Sequence, residues 1–340
     1  MRVGLTFNLK RGVPEEGQEP PSTSREAQAE WDDPATVDAV RVALRERYEV
    51  IPIDAADDPY NALRESRPDI VFNIAEGTFG PCREGHIPSI LEYLDIPYTA
   101  SDPLTLNLCL DKSRAKEILA YHGLPTARFR VVEDKELSFN SLHFPLLVKP
   151  LFEGSSMGIR NDSIVHTHEE LRNRIARVLE RFRQPALVEE FLPGREFTVA
   201  ILGNGAEARV LPIVEIRFDS LPAGMNPIYS YEAKWIWDQS SNPLQIFDCP
   251  ARVSGETQAE IERICLEAYR TMRCRDWCRI DVRLDGSNRP HIIELNPLPG
   301  ILPRPEDNSC FPKAARAAGM TYNQLINSVL DSACRRYGIG

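Results

Sequence analysis

The sequence has no stretch of about 18 apolar residues, so no segment reads as a membrane-spanning helix. Basic charge is also scarce. Forty Lys and Arg face 50 Asp and Glu, a net charge of −10, which argues against general nucleic-acid binding and leaves room only for a local basic cleft. None of the eight cysteines forms a CxxC pair; Cys274 and Cys278 lie close in sequence, without a second cluster to complete a zinc site. The opening "MRVGLTFNLK" lacks the apolar core and small-residue cleavage site of a signal peptide and reads as a strand. The thiols are therefore expected to be reduced and the protein cytoplasmic. The P-loop pattern GxxxxGK[ST] is missing. His166 and His168 sit on what reads as an exposed loop before a helix, which disfavours a metal role for them.

What is present alternates. "VGLTF", "YEVIPID" and "DIVFNIA" read as strands, "TVDAVRVALRER" and "HIPSILEYL" as helices, predicting a parallel sheet flanked by helices over 1–107. Residues 10–34, rich in Pro, Glu, Gln and Ser, read as a long mobile loop. A second unit, 108–203, opens with the helix "LDKSRAKEILAYHG", ended by Gly123 and Pro125. It continues through "ARFRVV", "FPLLVKP", a helix with Leu171, Ile175, Val178, Leu179 and Phe182 on one face, and the strands "ALVEEF" and "EFTVAILG". A third unit, 204–340, holds "ARVLPIVEI", the aromatic segment "NPIYSYEAKWIWDQ", a long helix and the strand pair in "CRIDVRLDGSNRPHIIELNPLPG". The fold class is three consecutive α/β and α+β units.

Four segments carry chemistry. In "VKPLFEGSSMG", Lys149 precedes a flexible loop of Gly154, Ser155, Ser156 and Gly158, whose amides and hydroxyls suit phosphate oxygens; an ordinary solvent loop is an equal reading for the segment alone. "LVEEFLPGREFTV" offers backbone groups to a base edge and a carboxylate to ribose hydroxyls, although a plain charged hairpin is the commoner explanation. "YSYEAKW" sets Lys234 among aromatics, where a snorkelling lysine is the ordinary reading. The strand pair is more informative. Asp281, Glu294 and Asn296 form an all-oxygen set suited to Mg²⁺ beside nucleotide phosphates, and Arg279 shares a strand face with Asp281. Gly300 permits close backbone approach after the rigid "NPLP" run.

Taken in order, "LDKSRAK", "GLPT", "VKPLFEGSSMG", "VEEFLPGREFTVAIL", "YSYEAKW", "CRIDVRLD" and "IIELNPLPG" resemble the ATP-grasp superfamily, and within it the D-alanine–D-alanine ligase family, over roughly residues 85–330. The resemblance implies an ATP-grasp fold with ATP between the second and third units. It implies that Lys112, Lys149 and Lys234 hold phosphates, that Glu189 and the Leu192 backbone address adenine, and that Glu196 holds the ribose. Asp281, Glu294 and Asn296 would ligate two Mg²⁺ ions, with Mn²⁺ as an alternative. Arg279 and the Gly300 N–H would stabilise an oxyanion, and Ser155 would fix the attacking substrate and close the lid. The expected reaction joins small, amino-acid-like substrates through an acyl phosphate, and a homodimer is a further expectation of the resemblance.

The substrate segments depart from the family pattern. The usual first-substrate glutamate has no clear counterpart, with Glu30 and Asp32 as candidates; Glu76 stands where the family has histidine; Trp235 replaces a common tyrosine; and "ILPRPEDNS", with Arg304 and Ser309, replaces a Ser-His-Ser segment. A ligase with substrates other than D-alanine is thus the primary reading. The alternatives are a true D-alanine–D-alanine ligase of peptidoglycan synthesis and a non-catalytic nucleotide-binding regulator.

Overall fold

A computed structural model describes residues 1–11, 28, 30–134, 141–222, 224–237 and 244–339; the side chains of Trp235 and Trp237 are not among the described groups. Most of the expected 10–34 loop therefore lies outside the described residues. No helix among the described residues is long and apolar enough to cross a membrane.

The chain starts with β1 (Arg2–Phe7), α1 (Pro34–Arg45), β2 (Glu49–Asp54), α2 (Pro59–Ser66) and β3 (Ile70–Asn73). The three strands form a parallel sheet in the order β2-β1-β3. Val3 and Leu5 of the central strand are fully buried, as expected where helices cover a parallel sheet. Both helices begin with proline, whose missing N–H costs nothing in the first turn. Then come α3 (His86–Tyr93), α4 (Pro103–Leu110) and α5 (Lys112–Tyr121). Asp111 ends α4 and caps α5 by accepting from the Ser113 and Arg114 amides, which fixes where Lys112 leaves the backbone.

A four-stranded antiparallel sheet follows, built from β4 (Phe129–Val132), β5 (Leu146–Pro150), β6 (Ile164–Val165) and β7 (Ala186–Glu190) in the order β4-β7-β5-β6. The helix α6 (His168–Phe182) buries Leu171, Ile175 and Val178 against it, with Leu179 and Phe182 at the margin of the same core. Beyond it lie β8 (Glu196–Leu202), β9 (Arg209–Val210), β10 (Val214–Ile216), β11 (Phe247–Asp248), α7 (Gly255–Thr271), β12 (Trp277–Leu284) and β13 (Pro290–Asn296). These strands form a six-stranded sheet with the path β11-β10-β8-β12-β13 and β9 beside β8. The helices α8 (Cys310–Ala317) and α9 (Tyr322–Tyr337) close the chain, α9 starting with a reciprocal Thr321–Gln324 capping box.

The structure corrects one grouping. The sequence reading assigns "EFTVAILG" to the second unit and ends that unit at 203, but β8 pairs with β12 and β10 and lies inside the six-stranded sheet. The Pro-Gly turn before it does not fold β8 back on β7; Gly194 instead donates to the Leu284 carbonyl of β12. Likewise α5 packs Ala115 and Leu119 into the core under that larger sheet. The four-stranded sheet is thus an insertion whose two chain crossings are both tied to the β12–β13 hairpin. The entering crossing is tied by Ile292 N–H to the Pro125 carbonyl at 2.8 Å, and the leaving one by Gly194 N–H to Leu284 at 3.0 Å and by Leu284 N–H to Arg195 at 2.9 Å.

Candidate active site

The two larger sheets enclose a cleft with a cavity volume of about 320 Å³. Its floor is one face of the six-stranded sheet. In β12 the apolar residues Cys278, Ile280 and Val282 point into the core, so Arg279, Asp281 and Arg283 must point the other way. Register completes the set: Arg279 lies opposite Asn296, Asp281 opposite both Glu294 and Thr198, and Arg283 opposite Glu196. A β-bulge follows Asp281, the kind of irregularity that re-aims side chains near sites.

Charges on this floor are paired with one another. Arg279 donates from Nε and Nη2 to the two Asp281 oxygens, each at 3.0 Å, and Asn296 Nδ2 donates to Asp281 Oδ2 at 3.3 Å. Lys112 Nζ stands 3.7 Å from Glu294 and donates to the Glu153 carbonyl. Burial pushes the Glu294 carboxyl up, but Lys112, Lys149 and Arg279 outweigh it and hold it at about 2. Burial raises Asp281, with Arg279 opposing.

A second wall comes from the four-stranded sheet. Glu189 and Lys149 lie diagonally on β7 and β5 and form a 2.7 Å ion pair, and Lys116 of α5 reaches the same carboxylate at 2.9 Å. All three are nearly inaccessible, at 4%, 2% and 1% exposure. Burial alone would raise Glu189; the two lysines bring it to about 2 instead. Glu196 receives Arg283 at 2.6 Å, and that guanidinium sits over the Phe191 ring. Leu192 lines the cleft between these groups.

The loop after β5 overhangs the cleft. Ser155 and Ser156 both have left-handed backbone, and Ser156 Oγ donates to the Tyr229 carbonyl at 2.8 Å. The first unit grips this loop: Arg83 donates to the Phe152 carbonyl at 2.9 Å and pairs with Glu30 at 2.7 Å, while Glu30 sits so close to Gly154 that a Cβ there would overlap its carboxylate. Glu76 lines the same cavity, as do Glu30 and Asp32, the two candidates for the first-substrate carboxylate.

Lys234 lies on a short π-helical segment, 233–237, and lines the cleft; burial first, then Arg279, lower its ammonium to about 8. Gly300 is on the rim with open space around its α-carbon. Ser309 also lines the cleft, but its hydroxyl donates to the Gly300 carbonyl at 3.0 Å and accepts from Leu302 N–H, so it braces the turn. Arg304 corrects expectation: it is exposed, pairs with Asp307 at 3.3 Å and does not line the cleft, because the longer "ILPRPEDNS" turn carries it outward. The Trp235 side chain lies outside the described groups.

Sequence reasoning missed Lys116, Arg283 and Glu84. Lys116 was legible, one helical turn after Lys112. Arg283 shares strand parity with Arg279 and Asp281. Glu84 had no signal, since it stands on a single 3₁₀ turn, 83–85, in a stretch to which the sequence reading assigns no element.

No group of three or more His, Cys, Asp and Glu positioned for a metal exists among the described residues. The set on the floor is instead two carboxylates and an amide oxygen beside lysines, a composition that fits a hard cation shared with an anionic ligand.

A wall of buried lysines facing acidic oxygens on an antiparallel sheet, with a serine-rich loop above, is the architecture of an ATP-grasp enzyme. Residues 118–331 match the family model for the D-ala D-ala ligase C-terminus. The chain is 36% identical over 304 residues to a D-alanine–D-alanine ligase of Desulforudis audaxviator, covering 88% of this chain and 92% of that protein. It is 37% identical over 268 residues to the uncharacterized protein y4sG of Sinorhizobium fredii, covering 79% and 75%. Among solved structures, the D-alanine–D-alanine ligase of Bacillus anthracis complexed with ATP superposes with a TM-score of 0.75 at 25% identity, covering 99% of both chains. The chain belongs to the D-alanine–D-alanine ligase family, and its class is that of ATP-dependent ligases forming a C–N bond.

Proposed function

We propose that the protein is a carboxylate–amine ligase that joins two amino-acid-like substrates, at least one of them not D-alanine. The observation that carries the reading is the convergence of Lys112, Lys149, Lys234, Arg279, Asp281, Glu294 and Asn296 on one cleft. A carboxylate is a poor electrophile. Attack of one carboxylate oxygen on the γ-phosphorus of ATP releases ADP and leaves an acyl phosphate; an amine then attacks the acyl carbon, phosphate departs and the nitrogen loses a proton. Glu189 and the Leu192 backbone would orient adenine, Glu196 the ribose, and the lysines the phosphates. Asp281, Glu294 and Asn296 would hold Mg²⁺, which supplies charge neutralisation between phosphate oxygens when bound. Arg279 and the Gly300 N–H would meet the developing oxyanion. Ser155 and its loop would exclude water, which otherwise hydrolyses the acyl phosphate.

Departure from D-alanine is supported by Glu76, which brings a carboxylate to the cleft where the family has histidine. The second reading, a true D-alanine–D-alanine ligase, draws on the similarity to curated ligases. A phosphate-release screen of D- and L-amino acids, singly and in pairs, with mass spectrometry of products, separates the two. D-alanine alone is expected to be a poor pair; efficient D-alanyl-D-alanine formation in preference to all other candidates would establish the second reading. A cytoplasmic, homodimeric enzyme completes the proposal, the eight free thiols supporting a reducing compartment and sedimentation testing the dimer.

A further inference from the structure

One end of the cleft holds more negative charge than the reaction above uses. Glu30, Asp32, Glu76 and Glu84 all line it. Glu76 is held in place by its neighbour: Gly77 donates to Asn8 Oδ1 at 2.8 Å and accepts from Trp31 Nε1 at 3.0 Å, and a Cβ at Gly77 would collide with the Arg83 carbonyl. Arg83 takes up Glu30, and Lys10 lies near enough to Asp32 to attract it. That leaves Glu76 and Glu84. Neither makes a hydrogen bond or ion pair among the described residues, although Glu84 is only 9% exposed and its side chain lines the cavity. Lys112, the nearest amine on the floor, is committed to Glu294 and the Glu153 carbonyl.

Burying carboxylates without partners is costly, and such groups are retained where a ligand supplies the missing charge. An amino-acid substrate brings one α-ammonium, which answers one of the two. A substrate side chain that ends in an ammonium would carry a second positive charge to the same end of the cleft. We propose that Glu76 and Glu84 form a subsite for a second cation, so that the substrate held against the first unit is a basic amino acid or a peptide that begins with one. This rests on the ligase reading and names its substrate class. Consistent with it, burial together with the neighbouring carboxylates raises Glu84 to about 7 and lifts Glu76 well above the ordinary range, although Arg83 opposes both shifts and Lys112 that of Glu84.

The test titrates the full chain, loaded with a non-hydrolysable ATP analogue and Mg²⁺, with lysine, ornithine, norleucine and alanine in both enantiomers, followed by calorimetry. Lysine or ornithine is expected to bind roughly tenfold or more tighter than norleucine, its uncharged counterpart, and one of the two variants Glu76→Gln and Glu84→Gln to remove most of that advantage. Equal affinity for lysine and norleucine, or equal losses for the two ligands in both variants, overturns the subsite. ADP release is read in parallel. Tight binding of a basic amino acid with no ADP release in any pairing would retain the subsite and reject the ligase reading. Release with neutral substrates, without any preference for basic ones, would do the reverse.

Discussion

Asp281 and Glu294 stand directly opposite each other on β12 and β13, two carboxylates in register, with Arg279 bonded to the first and Lys112 facing the second. Like charges in such a pair destabilise a sheet, so this arrangement is kept for what it binds. Glu294→Gln preserves shape and removes one charge. It is expected to abolish turnover while the fold is retained, measured by ADP release and circular dichroism; normal turnover would remove Glu294 from the metal set.

Arg279 should behave as a transition-state donor. Arg279→Ala is expected to lower kcat by a factor on the order of 10²–10³. Steady-state kinetics decide: a change confined to KM makes the guanidinium a plain binding group.

Glu189 neutralises two buried lysines at once. Glu189→Ala strands both, and removing one side of a buried ion pair costs about 3–5 kcal/mol. Urea denaturation should show a loss of that size, and Lys116→Met in the same background should recover part of it. No recovery would mean that the lysines are not coupled through this carboxylate.

Hydrogen exchange over residues 152–160 should slow when an ATP analogue and Mg²⁺ are added, because the loop's hydroxyls and amides gain phosphate partners. Arg83→Ala should speed exchange in the free protein by releasing the Phe152 carbonyl. Identical protection with and without nucleotide would contradict a lid.

Stability should depend on pH with a definite sign. Asp32 and Glu84 have folded pKa values raised to about 8 and about 7, both by burial first, so the folded state holds protons that the unfolded state has already lost. Their contribution is complete below the ordinary carboxylate range and disappears as pH rises through those values. Glu189 and Glu294 act oppositely, losing theirs as pH falls from about 4 towards about 2. The melting temperature of the free protein should therefore decline between pH 5 and pH 8, and Glu84→Gln should flatten the decline.

Strand alternation around Asp281 made the floor of the site readable, because parity alone fixes which side chains share a face. The lysine-bearing helix and the serine-rich loop were readable from their order along the chain. Sheet membership was not: nothing local in "EFTVAILG" distinguishes pairing with β7 from pairing with β12, since that choice depends on contacts some 80 residues away. Arg304 misled for a related reason. Its charge was visible, but its direction depends on Asp307 and the path of the turn. Glu84 was invisible because its significance lies in a missing partner, which only three-dimensional packing reveals.

The two ties that bind the inserted sheet to the β12–β13 hairpin have a mechanical consequence. Pro125 on the way in and Gly194 on the way out are each fixed to that hairpin, at Ile292 and Leu284. Two fixed points define an axis. A swing of the inserted unit about that axis breaks neither bond, whereas sliding or twisting strains both. Gly194 has no room for a side chain, since a Cβ would meet the Leu284 carbonyl at 2.6 Å. The inserted sheet is thus hung like a visor on two bonded points, and a swing about the line joining them is the rigid movement that would leave both ties intact.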